Sequence, residues 1–376
     1  MTMTKERKIT YICVLVLVTV LFVLGGIFDL KLSDAVFQPE NVMAKIFESA
    51  GMFPPFVIVA ATFATLFFSL DEKKNALLIK RLVCVGGATA SYLLFGYFAS
   101  DTYLGSFLYR LIAALGTAAV LTPLTFLALR KVGEDKKKRL LLVLIFGSIV
   151  SVISTLLTAN VLKFIWSRPR YYEMAASGSF AAYTPWFKIN GMNVSSFKDI
   201  FTSHGMHSFP SSHVCAATNL FIFCAVVEVF PGDAGRERRI AFISALYVFI
   251  MAYSRIVVGA HFLSDVTGGF FIGFLTYAVA RYFFFRKFGS IFDAPETEVV
   301  VPETETEKWD DFSNAELPER EEIEIAFGEE SNGAEKTEVL TKNLEGAEDS
   351  DAIEILDSVT LILPTEEEEE DNKDKE

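Results

Sequence analysis

Residues 254–265 read Ser-Arg-Ile-Val-Val-Gly-Ala-His-Phe-Leu-Ser-Asp and place two cationic side chains and a carboxylate between apolar runs. A charged group near a bilayer centre costs on the order of 3 kcal/mol on insertion scales, so such groups predict a functional site. If a helix begins after Gly259, His261 and Asp265 share one helical face, where the carboxylate can accept an imidazole N–H. An internal ion pair between Arg255 and Asp265 is the alternative interpretation.

The composition of the 376-residue chain indicates a membrane protein. Hydrophobic residues make up 52% of the sequence and aromatic residues 14%, with 36 Phe, unlike an average soluble domain. The net charge of −13 is unevenly distributed, because residues 288–376 hold 31 of the 47 acidic residues and 6 of the 34 basic ones. The apolar part is therefore basic, as expected beside anionic lipids.

Eight apolar runs are long enough to cross a bilayer, at about 20 residues each. The first extends to about Phe28 and has no clear small-x-small cleavage site, so we interpret it as a retained signal anchor. The others are residues 52–70, 82–100, 109–130, 140–162, 211–230, 240–257 and 262–285. The sequence therefore predicts an all-α, polytopic membrane helix bundle with about eight transmembrane helices.

The loops between these runs set the predicted orientation, since short loops rich in Lys and Arg stay in the cytoplasm. Such loops follow predicted helices 2, 4 and 6, and basic residues also end helix 8. Both termini are then cytoplasmic, and the loops at 29–51, 101–108, 163–210 and 258–261 face outward. We expect an integral protein of the plasma membrane whose active site lies on the extracytoplasmic face.

The composition also divides the chain into three parts. Residues 1–131 hold the N-terminal transmembrane helices, residues 132–288 hold the polar motifs described below, and residues 289–376 form an acidic cytoplasmic tail. The tail cannot bury enough apolar surface to offset its ordering entropy, so we expect it to be disordered. Its apolar patches at 323–327 and 359–363 are candidate docking segments for a cytoplasmic partner, and a purely solvating tail is the alternative.

Two further polar clusters fall in the loops that are predicted to face outward. In the first, Lys163 and Arg170 are seven positions apart, about two helical turns. Basic side chains also snorkel at interfaces, but a cationic group on the outer face runs against the positive-inside bias. This position favours an anionic ligand.

The second cluster, residues 208–213, reads Ser-Phe-Pro-Ser-Ser-His and leads into a predicted helix. The hydroxyls of Ser211 and Ser212 and the first N–H groups of the helix suit an anion. His213 then lies in the first turn. An ordinary Ser N-cap with an interfacial His is the alternative.

Together the three clusters provide cations, hydroxyl and amide donors and two imidazoles at one membrane face. Cations and helix-terminal amides stabilise charge on phosphate oxygens in a transition state, and two histidines can act as nucleophile and general acid. The set therefore predicts phosphoryl transfer. A zinc site is less favoured because His261 and Asp265 lack a third ligand at helical spacing. The four cysteines lie in apolar runs without a CxxC pair, so we expect buried core residues that imply no metal site or disulfide framework. We expect no cofactor.

In order and spacing, the clusters resemble the signature of the type 2 phosphatidic acid phosphatase and vanadium haloperoxidase superfamily. That signature reads Lys-x6-Arg-Pro, then Pro-Ser-Gly-His, then Ser-Arg-x5-His-x3-Asp. The matching residues are Lys163 and Arg170, then Pro210, Ser211 and His213, then Ser254, Arg255, His261 and Asp265. The chain departs from the signature at two positions, with Ser212 in place of Gly and Tyr171 in place of Pro.

The resemblance implies a metal-independent phosphatase. It implies that His261 attacks phosphorus to give a phosphohistidine and that Asp265 orients and charge-stabilises this histidine. It also implies that His213 protonates the leaving alkoxide and later activates water. The phosphate-binding residues that it implies are Lys163, Arg170, Ser211, Ser212 and Arg255. Family members of this type usually have three helices before the first motif, whereas this chain has five, so we expect predicted helices 1 and 2 to be additions.

The leading hypothesis is hydrolysis of a lipid phosphate or diphosphate at the outer leaflet, such as phosphatidate, phosphatidylglycerol phosphate or a polyprenyl diphosphate. The alternatives are a lipid phosphotransferase of the same fold and a noncatalytic membrane scaffold or transporter that retains the anion site. The expected partners are membrane lipids, without nucleic acid. The loop at 173–208 is a candidate lid or headgroup selector, or a plain interfacial loop, and contains Trp186, Phe187, Phe197, Phe201, His204 and His207.

Overall fold

The computed structural model describes residues 5–70, 76–101, 103–191, 207–230 and 235–293, and the predictions for the acidic tail lie outside these residues. Every regular element in the described ranges is helical. The helices are α1 Lys5–Val36, α2 Val42–Ala50, α3 Phe53–Phe68, α4 Leu77–Asp101, α5 Phe107–Leu129, α6 Glu134–Leu156, α7 Lys163–Trp166, α8 Tyr171–Ser177, α9 Ser212–Thr218, α10 Phe223–Val226, α11 Arg236–Val257 and α12 Leu263–Asp293. A π-helical segment, Leu157–Leu162, joins α6 to α7, and a 3-10 turn, Asn219–Ile222, joins α9 to α10.

Seven helical segments of the described chain are long and apolar enough to cross a membrane. They are Lys5–Val36, Val42–Phe68, Leu77–Asp101, Phe107–Leu129, Glu134–Leu156, Arg236–Val257 and Leu263–Phe292. The prediction of about eight differs at one segment, because Ser212–Val226 is apolar but shorter than these spans. The described residues are all-α with seven candidate membrane-spanning helices, which indicates an integral membrane protein.

The helix surfaces are apolar where a bilayer would surround them. Ile12 and Ile27 of α1 are 61% and 63% exposed, and Phe249 of α11 is 67% exposed. Such exposure suits lipid, since a helix in hydrocarbon satisfies its backbone groups internally and presents apolar side chains outward. The prediction of four buried cysteines fails at Cys13, which is exposed on α1, whereas the other three are buried.

The main hydrophobic core lies where α3, α6, α9, α11 and α12 meet. Its fully buried members include Ile58, Val143, Val214, Ile222 and Met251. Gly269 allows α9 and α12 to approach closely, because a Cβ at that position would lie 2.2 Å from the carbonyl oxygen of Ser211. This close approach fixes the beginning of α9 against α12.

The remaining N-terminal helices pack in two different ways. Helix α1 lies along α12, and α2 packs on α11, so both contact the C-terminal helices that carry the third motif. Helices α4 and α5 pack chiefly on each other and on α3. Which two helices are additional to the family core, and the boundaries at 131 and 288, stay predictions.

Candidate active site

His261 lies in the turn between α11 and α12, and Gly259 shapes that turn. Gly259 has a φ of +69°, which side-chain-bearing residues rarely adopt, and a Cβ there would lie 2.6 Å from the ring of Phe37. The N–H groups of Ala260 and His261 both donate to the carbonyl of Arg255, at 3.1 and 3.2 Å. The turn therefore returns His261 to the end of α11, beside Arg255.

The imidazole of His261 has a backbone partner. Its Nδ1 lies 2.6 Å from the carbonyl oxygen of Ser208, and because a carbonyl only accepts, Nδ1 carries the proton and Nε2 keeps its lone pair. The prediction that Asp265 accepts this N–H is wrong, since Oδ2 of Asp265 lies 3.9 Å from Nδ1. That oxygen accepts instead from the backbone N–H of Phe262, at 2.8 Å.

Asp265 is paired with Arg168, which lies between the two predicted site residues of the first motif. Arg168 Nη1 donates to Oδ1 of Asp265 at 2.5 Å, and Nη2 donates to Oδ2 of Asp29 at 2.9 Å. All three side chains are 0% exposed. We call Asp29, Arg168 and Asp265 the site cluster. The alternative ion pair between Arg255 and Asp265 is therefore wrong.

The guanidinium of Arg255 pairs instead with Glu48 of α2, through a hydrogen bond of 2.9 Å between Nη2 and Oε1. Its Nε and Nη1 are buried and have no hydrogen-bond partner among the described residues. The same is true of Nε of Arg170. Lys163, Arg170 and Arg255 all interact electrostatically with His261, so the three predicted phosphate-binding cations lie near one imidazole.

The residues of the second motif, at the beginning of α9, lie near His261 and Asp265. Ser211 caps the helix, its Oγ accepting from the N–H of Val214 at 3.5 Å, while its own N–H donates to the carbonyl of Asp265 at 3.0 Å. The Oγ of Ser212 is buried without a partner in the described part of the chain. His213 interacts electrostatically with the three cations and with His261. All the predicted site residues thus lie together.

Burial and the surrounding cations lower the pKa of His261 well below its ordinary value of 6.5. His261 lies outside the spanning segments, in the turn between two of them. A neutral imidazole with Nδ1–H fixed by a carbonyl presents Nε2 as a nucleophile at neutral pH. The arrangement therefore has the protonation state that nucleophilic attack requires.

Three charged residues near the site were not among the predicted site residues: Asp29, Glu48 and Arg168. Asp29 and Glu48 come from α1 and α2, more than a hundred residues before the motifs. The available signal was an Asp at the end of an otherwise apolar span, which by itself predicts a function. Within the described ranges, no group of three or more His, Cys, Asp or Glu side chains is suited to a metal ion.

The candidate lid is described only up to residue 191 and again from residue 207. Trp186 donates from Nε1 to the carbonyl of Phe22 at 3.0 Å, and the two rings lie 4.5 Å apart between centroids. His207 packs edge-on against Phe164. The predicted lid residues Phe197, Phe201 and His204 lie outside the described residues. The first part of the loop therefore packs on α1.

Residues 139–288 match the PAP2 superfamily, so the chain contains a PAP2 superfamily domain and the resemblance found in the motifs is confirmed. All three motifs fall within the matched range. No solved structure matches the chain.

Proposed function

We propose that the PAP2 superfamily domain of this chain hydrolyses the phosphate or diphosphate ester of a membrane lipid through a phosphohistidine on His261. PAP2 superfamily proteins are generally of the lipid phosphate phosphatase type and typically work without a metal. The observation that carries the proposal is a set of buried donors on Arg170, Ser212 and Arg255 that have no partner in the described chain, together with a His261 whose Nδ1 is held by the carbonyl of Ser208. Two histidines among cations suit the transfer of an anionic group.

The binding step follows from donors that have no partner in the described chain. These donors are Nε and Nη1 of Arg255, Nε of Arg170 and Oγ of Ser212. A buried donor without an acceptor costs about 1–3 kcal/mol, and more when it is charged. A tetrahedral phosphate has enough oxygens to accept from all of them. Burial and the neighbouring Arg170 and Arg255 lower the pKa of Lys163 to about 7, and a bound phosphate favours its charged form. We therefore assign phosphate binding to Arg170, Ser212 and Arg255 on these donors, and to Lys163 and Ser211 on the resemblance of their motifs.

In the first chemical step, Nε2 of His261 forms a bond to phosphorus while the bond from phosphorus to the lipid oxygen breaks. Burial and the three cations lower the pKa of His213 well below 6.5, and the negative charge of a bound phosphate opposes that shift. His213, protonated in the substrate complex, gives its proton to the leaving oxygen, so the product is a lipid alcohol. The phosphorylated ring of His261 then keeps its Nδ1–H, which Ser208 accepts through its carbonyl. Asp265 lies 3.9 Å from that nitrogen and stabilises the positive charge on the ring.

In the second step, neutral His213 takes a proton from water as the water oxygen attacks phosphorus. The bond from phosphorus to Nε2 breaks, inorganic phosphate leaves, and His261 returns to its neutral form. His213 holds the proton that the next leaving oxygen needs. The pair of histidines thus completes the cycle without another acid or base.

The proposed substrate is a lipid because the helices around the site are apolar on their outer surfaces. A lipid tail can stay in the bilayer while its phosphate reaches the polar site. Loop charges support an outer-leaflet substrate and cytoplasmic termini, and we also propose residence in the plasma membrane. Phosphatidate, phosphatidylglycerol phosphate and polyprenyl diphosphate are the representative substrates to compare.

The proposal is tested by phosphate release from these lipids by the purified full-length chain in EDTA. We expect release by the native protein and a loss of at least about a hundredfold in kcat for His213→Ala and for His261→Ala. Cys13→Ala is the control, since Cys13 is exposed on α1 and has no role in the proposed steps, and we expect its kcat to stay within about twofold of the native value.

Three outcomes separate the alternatives. Phosphoryl transfer to an added lipid alcohol, without release of phosphate, would favour a phosphotransferase. An inactive native chain whose His261→Ala variant keeps its cellular role would favour the scaffold or transporter. An active His261→Ala variant would contradict the phosphohistidine mechanism.

A further inference from the structure

Helix α1 places the buried carboxylate of Asp29 next to residues that surround His261. Asp29 accepts from the N–H of Ser264 at 3.0 Å, from the hydroxyl of Ser264, and from Nη2 of Arg168 at 2.9 Å. Gly25 permits this approach, because a Cβ there would lie 2.8 Å from Cβ of Ser264. All three groups that contact Asp29 are donors, as an ionised carboxylate requires.

The donors of Arg168 are also used inside the protein. Its Nε donates to the carbonyl of Thr184 at 2.7 Å, and Nη1 also donates to the hydroxyl of Ser264 at 2.8 Å. Its guanidinium carbon lies 4.3 Å from the ring centroid of Phe262. Arg168 is therefore held by protein groups and is not available to bind a substrate phosphate.

The charges of the site cluster do not balance. Two carboxylates, Asp29 and Asp265, share one guanidinium, and all three are 0% exposed. Lys163, Arg170 and Arg255 interact electrostatically with His261, so these phosphate-binding cations offset the extra buried carboxylate of the cluster. The excess negative charge lies beside His261, where the phosphorylated ring becomes positive. Water does not screen this interaction as it would at the surface.

We infer that Asp29 is a positioning residue for the phosphoryl transfer, acting on His261 through Arg168 and Asp265. This inference rests on the proposed function. Because Arg168 also pairs with Asp29, it neutralises less of the negative charge of Asp265. More of that charge then acts on the ring of His261. Asp29 also fixes the direction of Arg168, which holds Asp265 where it accepts from the N–H of Phe262. The backbone next to His261 is thereby held in place.

The test is the steady-state kinetics of full-length Asp29→Asn in detergent, with a short-chain phosphatidate as substrate. An Asn side chain turns an amide N–H₂ toward a donor, and it leaves Arg168 paired with Asp265 alone. We expect kcat to fall about tenfold to a hundredfold, as for other groups that orient a reacting side chain. KM should stay within about twofold, because the phosphate-binding cations are unchanged.

Asp34→Asn is the matched control on the same helix. Oδ1 of Asp34 accepts from the hydroxyl of Tyr171 at 2.9 Å, so its partner is neutral and lies outside the site cluster. We expect kcat and KM within about twofold of the native values. Asp29→Glu restores the charge in a less suitable shape, and we expect it to recover part of the kcat that Asp29→Asn loses.

Size-exclusion elution and the thermal midpoint of each variant distinguish misfolding from a loss of chemistry. A native kcat in Asp29→Asn, an increase in KM alone, or an equal loss in Asp34→Asn would overturn the inference. Failure of Asp29→Glu to exceed Asp29→Asn in a folded protein would also overturn it. Absence of phosphate release by the native chain would instead overturn the proposed function, and this inference with it.

Discussion

Two ion clusters join α1 to the C-terminal helices, one near each end of α1, and they differ in charge balance and in burial. The far cluster consists of Arg7, Glu228, Glu237 and Arg281. Arg7 Nη2 lies 2.8 Å from each glutamate, and Arg281 Nη2 lies 3.0 Å from Glu228. Its two positive and two negative groups balance. The site cluster of Asp29, Arg168 and Asp265 has one negative charge in excess.

Water reaches the two clusters differently. The side chains of Arg7 and Glu237 are 22% and 32% exposed, whereas the site cluster is 0% exposed. A partly exposed, balanced network contributes little more than helix alignment, since water screens its charges. A dry, unbalanced cluster is harder to form and exerts a stronger field on its neighbours. The comparison indicates that the far cluster holds α1 and that the site cluster serves His261.

The largest effect should come from Asp265→Asn in the site cluster. This change leaves Arg168 paired with Asp29 alone, and it removes the carboxylate that lies 3.9 Å from Nδ1 of His261. We expect kcat for lipid phosphate hydrolysis to fall by about a hundredfold or more, since stabilisation of developing charge is a large catalytic contribution. Phosphate-release kinetics on a protein that elutes as the native chain does provide the measurement. A loss below about threefold would remove the distinction between the clusters.

A smaller effect is expected from Glu48→Gln, which lies in neither cluster. Glu48 accepts from Nη2 of Arg255 at 2.9 Å, and its negative charge opposes an incoming phosphate. Neutralising Glu48 removes this repulsion, so inorganic phosphate should inhibit at about three- to tenfold lower concentration. A tenfold change in affinity corresponds to about 1.4 kcal/mol. Inhibition curves against the native chain test this sign. Weaker inhibition would mean that Glu48 chiefly holds Arg255 in place.

The smallest effect on catalysis should come from Glu228→Gln in the far cluster. It leaves two guanidinium groups around Glu237 and weakens the alignment of α1. We expect kcat within about twofold of native and a thermal midpoint lower by about 2–4 °C, the change expected for about 1 kcal/mol in a domain of this size. Kinetics and a thermal melt in the same detergent give both values. A large loss of kcat with an unchanged midpoint would contradict a purely structural role.

Much of this molecule could be predicted from local sequence patterns. Hydrophobic run length predicted the spanning helices, because a bilayer requires about 20 apolar residues per helix. The polar residues of the three motifs lie in or beside apolar runs, and this position predicted that the three motif segments come together. The first inference depends on the spacing of residues within one segment, and the second depends on the cost of placing charge in lipid. Both properties are visible in the sequence itself.

The pairing of those charges could not be predicted in the same way. Helical spacing favoured Asp265 as the acceptor for His261, yet the carbonyl of Ser208 accepts that hydrogen bond. A backbone partner cannot be recognised from the pattern of side chains. Arg168 and Asp29 are separated by 139 positions, and Arg255 and Glu48 by 207. Helix packing alone decides such partners. The residue spacing in α1 and α2 therefore did not indicate that Asp29 and Glu48 lie near the site.

The most direct test of the central claim is mass-spectrometric mapping of a phosphoenzyme trapped by rapid alkaline quench, conditions under which phosphohistidine survives. The full-length chain would be mixed with phosphatidate for milliseconds, and Asp29→Asn would be quenched alongside it. We predict a phosphoryl group on His261 of the native chain, slower to form in Asp29→Asn and not found on His213. Phosphate release without any phosphorylation of His261, or with His213 phosphorylated instead, would contradict it.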